Sequence, residues 1–269
     1  MNRTLWLGAA AMLAAVWPGS AQDWAKERLD KSRRHLEWVK VKNGSREVNC
    51  FVAYPEVKEK AGAVVVIHEI FGLTDWVRGV ADQLAEAGYI AIAPDLLSGS
   101  APGGGGTAEL GGNDAVRKAI SSLPADQVTG DLKAALDYVR GLPACNGKAA
   151  VAGFCWGGSQ SFRFATNEKG LTAAFVFYGT APNEAPELSR ILCPVYGFYG
   201  GNDARVTSTV AKTTELMKQA EKKYAPVTYE GAGHGFMRGG EAPDAPTGDK
   251  RAREQAWERW KTELGKVEK

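Results

Sequence analysis

Apolar and polar positions come close to alternating along residues 36–42, where Leu36, Trp38, Val39 and Val41 are the apolar members, and they do so again along residues 48–54. Asn43-Gly44 between the two runs is a hairpin turn signal, so an antiparallel β-hairpin is expected at one edge of a sheet. Residues 63–67, AVVVI, are apolar without interruption, the pattern of a strand covered on both faces. Further strands are expected at residues 89–93, 149–154, 172–178 and 195–200, with a short one at 227–230. Between them the period changes to that of helices. Thr74 or Asp75 can cap a helix that runs to Ala87 and stops at Gly88. Helices are also expected over residues 113–123 and 125–140, the second with Val128, Leu132, Ala135, Leu136 and Val139 on one face. Three more are expected at 157–166, 207–222 and 249–266, the last with Ala252, Trp257, Trp260 and Leu264 inward. The residues just before Leu36 read as a polar linker. The Gly- and Pro-rich stretch 98–113 reads as a surface loop, either a plain linker or a lid. It lacks the G-K-[ST] ending of a phosphate loop, which argues against nucleotide binding.

A hairpin followed by alternating strands and helices predicts a mostly parallel, twisted sheet with helices on both faces. No internal repeat or long linker interrupts it, so residues 22–269 are expected to form one domain. Residues 1–21 are set apart by composition. Arg3 is a positive start, residues 5–16 are an apolar core too short to span a bilayer, and Gly19-Ser20-Ala21 offers small residues for cleavage before Gln22. This is the pattern of a signal peptide, and it implies an exported (periplasmic or secreted) protein in an oxidising compartment. No later run reaches 18 uninterrupted apolar residues, so no membrane association is expected after cleavage. The net charge of +2 gives no ground for nucleic-acid binding. Of the four cysteines, Cys145 and Cys193 precede strands and would lie at the same end of the sheet; they could be neighbours, but pairing cannot be read from sequence.

The chemistry is concentrated in AAVAGFCWGGSQ, residues 149–160. Gly153-Phe154-Cys155-Trp156-Gly157 is G-x-C-x-G, the cysteine form of the strand–turn–helix elbow that presents a nucleophile. The following helix would point free N–H groups at the sulfur, favouring the thiolate. Asp203 and His234 follow later strands, so nucleophile, acid and imidazole occur in the chain order of α/β-hydrolases. Cys155 would attack, His234 would accept and return its proton, and Asp203 would hold the imidazole. Backbone N–H groups of Ile70 and Trp156 are placed to receive an oxyanion. His68, ending a buried strand, reads as a hydrogen-bonded core group. The three histidines are scattered and no C-x-x-C or H-E-x-x-H is present, so no metal is expected.

HEIFG at 68–72, PDL at 94–96, GFCWGG at 153–158, YGGND at 199–203 and GHGF at 233–236, in that order, resemble the dienelactone hydrolase family. The resemblance covers residues 36–261. It implies an α/β-hydrolase fold and hydrolysis of a small ester or lactone through an acyl-cysteine, without a cofactor. It also implies that Glu69 sits near the thiol and is moved by substrate to take its proton, and that Arg238 holds a substrate carboxylate. A second arginine, normally just beyond P-D-L, is replaced here by Leu96-Leu97-Ser98-Gly99. That departure keeps a general carboxylesterase without acidic preference as an alternative. Arg205 reads either as an anion-binding residue or as an exposed arginine at a helix start, while Trp156 and Phe236 suggest an apolar wall to the substrate site. The protein is expected to be a monomer acting on a small molecule; a non-catalytic binding member of the fold is the remaining alternative.

Overall fold

A computed structural model describes residues 23–267. The expected signal peptide, residues 1–21, lies outside the described residues. Eight strands form one sheet: β1 (Leu36–Asn43), β2 (Arg46–Ala53), β3 (Ala61–Ile67), β4 (Ile90–Pro94), β5 (Cys145–Phe154), β6 (Ala174–Phe177), β7 (Val195–Gly200) and β8 (Tyr224–Tyr229). Their order is β1-β2-β4-β3-β5-β6-β7-β8. The β1–β2 hairpin turns at Asn43 and joins antiparallel to β4, and every other pairing is parallel.

Side chains alternate across the sheet with period two, and the two resulting faces bury different helices. Val64, Val66, Ala150, Ala152, Phe154, Phe175 and Phe177 pack with α2 (Asp75–Glu86) and α9 (Thr247–Val267). Val65, Ile67, Val151, Ala174 and Val176 pack with α4 (Ala125–Gly141) and α5 (Trp156–Asn167). Val128, Leu132, Ala135, Leu136 and Val139 are the buried face of α4, as their spacing requires. On α9 the buried stripe is Ala252, Ala256, Trp260 and Leu264, with Trp257 only half-buried beside it.

Residues expected to be a polar linker contain a helix, α1 (Asp23–Asp30). Eight residues carrying only Trp24, Ala25 and Leu29 as apolar members give little helical signal. Tertiary contacts secure the segment. Ala25 and Leu29 enter the core, and Ser32 Oγ and the Arg34 guanidinium donate to the fully buried Asp82 carboxylate of α2 at 2.6–2.7 Å. On the opposite side of the hairpin, Asn43 and Arg46 donate to the buried Asp131 of α4, both at 2.9 Å. The segment beyond β4 is also tied down: Thr107 donates through its N–H and its hydroxyl to Asp95, at 2.8 and 2.7 Å.

All four cysteines are free thiols. Cys145 and Cys193 cannot be neighbours because β6 separates their strands. Two strand spacings amount to roughly 9–10 Å, beyond the reach of a disulfide.

Candidate active site

β5 ends in a turn that only its sequence permits. A Cβ on Gly153 would strike the carbonyl of Gly157, and one on Gly157 would strike the carbonyls of Ile67 and His68 at the end of β3. The two glycines therefore let β5, the turn and α5 pass within backbone contact of each other. Between them Cys155 sits at φ 57°, ψ −117°, in the left-handed half of backbone space that a side chain avoids. It is anchored by its N–H, which donates to Phe177 O at 3.0 Å. The strain lifts the thiol above the sheet at the first turn of α5, where Trp156 supplies one of the N–H groups a helix leaves unpaired.

Asp203 and His234 converge on it from later strands. Asp203 directly precedes α7 (Ala204–Gln219), which starts three residues earlier than its sequence pattern suggests. Its carboxylate does not cap that helix. Instead it accepts from His234 Nδ1 at 2.5 Å, leaving Nε2 to face Cys155 Sγ at 3.1 Å. The Cys155 sulfur, accepting from Nε2–H, raises the His234 pKa; partial burial lowers it less, and Asp203 adds to the rise.

Glu69 lies beyond β3, buried, with a bridge between its backbone and that of Gly72. Its carboxylate accepts from Arg238 Nε at 2.7 Å and lies 3.5 Å from the Tyr178 hydroxyl. Arg238 belongs to α8 (Phe236–Gly239), a single turn after His234, and its guanidinium also lies over the Phe71 ring. Burial works against the Arg238 charge, but the Glu69 carboxylate outweighs it, and the pKa is raised. Arg238 is thus engaged by a carboxylate of the protein itself.

A pocket of about 310 Å³ opens on Cys155, lined by Ile70, Trp156, Tyr178, Arg205 and Val206, with Ser159, Gly179 and Thr180 completing it. Ile70 and Trp156 thus both stand at the thiol. Phe236 does not reach the pocket: it is fully buried against the Tyr178 and Tyr229 rings, so it backs the wall instead of forming it. His68 is buried, donates from Nδ1 to Glu69 O at 2.8 Å and stacks on Trp156. Burial lowers its pKa, so it stands as a neutral support beside the Trp156 ring. Where the second arginine was looked for, Leu96 and Leu97 are fully buried and Ser98 is bonded to Asp95 O and Asn49 N, leaving no position for a guanidinium.

Tyr178 was not singled out by its sequence context, although its place at the carboxyl end of β6 is where an α/β sheet puts functional groups. It adopts φ 41°, meets the His234 ring edge-on at 5.1 Å, and is fully buried. Burial, then Glu69, holds its phenol well above the ordinary pKa. Among the described residues no group of three or more His, Cys, Asp or Glu stands where it could hold a metal ion, and no helix is long and apolar enough to cross a membrane.

The sequence matches the dienelactone hydrolase family over residues 48–267. A protein of Synechocystis provisionally named carboxymethylenebutenolidase is 32% identical over 74% of this chain and 85% of its own. One of the same provisional name from Yersinia pestis is 29% identical over 86% of this chain and 89% of its own. The fold is shared with a crystal structure of a provisionally assigned dienelactone hydrolase from Klebsiella pneumoniae, with TM-score 0.73 and 24% identity over 84% of this chain and 96% of that one.

Proposed function

The chain belongs to the dienelactone hydrolase family, and on that premise we propose that it hydrolyses a small ester or lactone with Cys155 as nucleophile. The observation that carries the reading is the hydrogen-bonded chain from Cys155 Sγ through His234 to Asp203, at 3.1 and 2.5 Å. The thiol proton passes to His234 Nε2 as sulfur attacks the carbonyl carbon. Asp203 keeps Nδ1 protonated, which fixes the tautomer and stabilises the imidazolium that forms. The N–H groups of Ile70 and Trp156 receive the oxyanion. Collapse of the tetrahedral intermediate expels the alcohol, which takes the proton from Nε2 and leaves an acyl-cysteine. Water, with His234 again as base, then releases the acid.

Glu69, if moved to Cys155 Sγ by substrate, would take the one thiol proton in place of His234 Nε2. In the resting protein Arg238 and Tyr178 hold Glu69, and moving it toward Cys155 requires that the Arg238 contact at 2.7 Å be exchanged for another. No cofactor takes part in these steps. Export by residues 1–21 belongs to the same proposal and rests on the sequence alone.

Release of p-nitrophenol from its acetate ester, with intact-mass detection of an acetylated protein early in turnover, tests the reading. Cys155→Ala should abolish both signals. An acetyl group mapped to a residue other than Cys155, or turnover undiminished in Cys155→Ala, would refute it.

A further inference from the structure

A second cavity, of about 620 Å³, lies between the β1–β2 edge of the sheet and the start of α2, roofed by residues 106–109. It shares no lining residue with the Cys155 pocket. Its floor is aromatic. Trp38 of β1 is 53% exposed, the one Trp, Phe or Tyr among the described residues that stands in the open. The ring meets Phe51 of β2 edge-on and carries the Arg78 guanidinium of α2 at 5.6 Å. Asp75, one turn earlier on α2, pairs with Arg78 and holds it against the ring. Asn49 shares the face of β2 that carries Phe51. It spends its backbone N–H on Ser98 Oγ at 2.9 Å and its carbonyl on Asp95 N at 2.8 Å, which leaves the half-buried side-chain amide to the cavity. Thr74 immediately precedes α2, and its hydroxyl makes no cap bond to that helix.

The lining rules out several ligand classes. Asp75, Asp95 and Glu109 outweigh Arg78, so the cavity is net negative and repels carboxylates and phosphates. A cation finds no uncommitted carboxylate. Asp75 is paired with Arg78, Asp95 accepts from Leu97 N and from both the N–H and the hydroxyl of Thr107, and Glu109 accepts from Gly106 N. An apolar ligand would strand the Asn49 amide and the Thr74 hydroxyl away from water. What remains is a neutral molecule with an apolar face for Trp38 and hydroxyls around its rim that both donate and accept. A pyranose ring presents C–H groups on one face and hydroxyls at its perimeter. We propose that this cavity is a binding site for a neutral sugar, its ring stacked on Trp38 and its hydroxyls held by Asn49, Thr74 and the Asp75–Arg78 pair. The volume lies within the range of small-molecule sites. The site is distinct from the thiol and does not depend on hydrolysis at Cys155.

Isothermal titration of the full chain with glucose, galactose, N-acetylglucosamine, cellobiose and maltose tests it, with adenosine as a planar aromatic control. At least one sugar should bind with a dissociation constant of about 1 mM or below, and adenosine more weakly. Trp38→Ala should weaken that sugar about tenfold or more, and Trp38→Phe should keep part of the stacking. Asn49→Ala should weaken it about fivefold, as loss of a hydrogen bond implies. If Trp38→Ala lowers the urea midpoint, Trp38→Phe and Asn49→Ala carry the test. Alkylation of Cys155 by iodoacetamide should be unchanged in Trp38→Ala, because the two cavities share no wall. No binding of any of these sugars at about 20 mM overturns the proposal. So does a sugar affinity that is equal in the wild type, Trp38→Phe and Asn49→Ala. Adenosine binding more tightly than every sugar would overturn it in favour of an aromatic ligand. Absence of p-nitrophenyl acetate turnover would count against the hydrolytic reading alone.

Discussion

Glu69 and Arg238, 169 residues apart in sequence, form a hydrogen-bonded ion pair at 2.7 Å beside the thiol, the acid 3% and the base 32% exposed. That asymmetry sets what each does when its partner is removed. Arg238→Ala leaves a buried carboxylate uncompensated and should destabilise the fold by about 3 kcal/mol, the lower end for breaking a buried pair. Glu69→Gln leaves an arginine that can turn to water and should cost less. The double variant should be more stable than Arg238→Ala alone. Urea unfolding of all four proteins measures the coupling, and additive losses would mean that the pair holds no buried charge in place.

His234 is held above its ordinary pKa chiefly by its contact with Cys155 Sγ. Below that raised value Nε2 is protonated and cannot take the thiol proton, so kcat/KM should fall as pH drops through a midpoint above about 6.5, the free-imidazole value. Removing the first cause should move the ring in the opposite direction. In Cys155→Ala the His234 imidazole should titrate at lower pH than in the wild type, by ring-proton NMR. An equal or higher midpoint would show that the thiol contact is not what raises it.

Gly157 and Gly79 are predicted to respond to alanine in opposite ways. At Gly157 the new Cβ meets the Ile67 and His68 carbonyls, which are backbone and cannot yield. Gly157→Ala should cost about 1–3 kcal/mol, as overpacking does, and should slow Cys155 alkylation by tilting the elbow. At Gly79, inside α2, a Cβ meets nothing within 4 Å. Gly79→Ala should be neutral or should stabilise by up to about 1 kcal/mol through helix propensity. Chemical denaturation compares the two, and equal losses would contradict the contact geometry.

Asp82, fully buried in α2, depends on Ser32 and Arg34 from the N-terminal segment. Arg34→Ala should destabilise the protein by about 3 kcal/mol for the same reason as Arg238→Ala, and hydrogen exchange should rise first in α1 and in the neighbouring turns of α2. A loss confined to α1 exchange, with global stability intact, would show that the segment is only an appendage.

The strands, the larger helices and the elbow were legible in the sequence because each is a local pattern. Uninterrupted apolar runs mark strands covered on both faces, and G-x-C-x-G marks a turn where two Cβ atoms are forbidden. The order Cys155, Asp203, His234 was legible for the same reason: each ends a recognisable strand. What required the tertiary structure is what distant segments decide together. α1 has too few apolar residues to declare itself and is ordered by Asp82 of another helix. Phe236 looked like a substrate wall by its nearness to His234, but one short turn sends it into the core and sends Arg238 to Glu69. Cys145 and Cys193 share an end of the sheet, yet only the strand order puts β6 between them. The strained Tyr178 carries no local signature at all, and Arg205 declares only its place beside Asp203 at a helix start, not the imidazole it meets. Their importance lies in which groups they approach, and that is fixed only when β6, α7 and the His234 loop are brought to one end of the sheet.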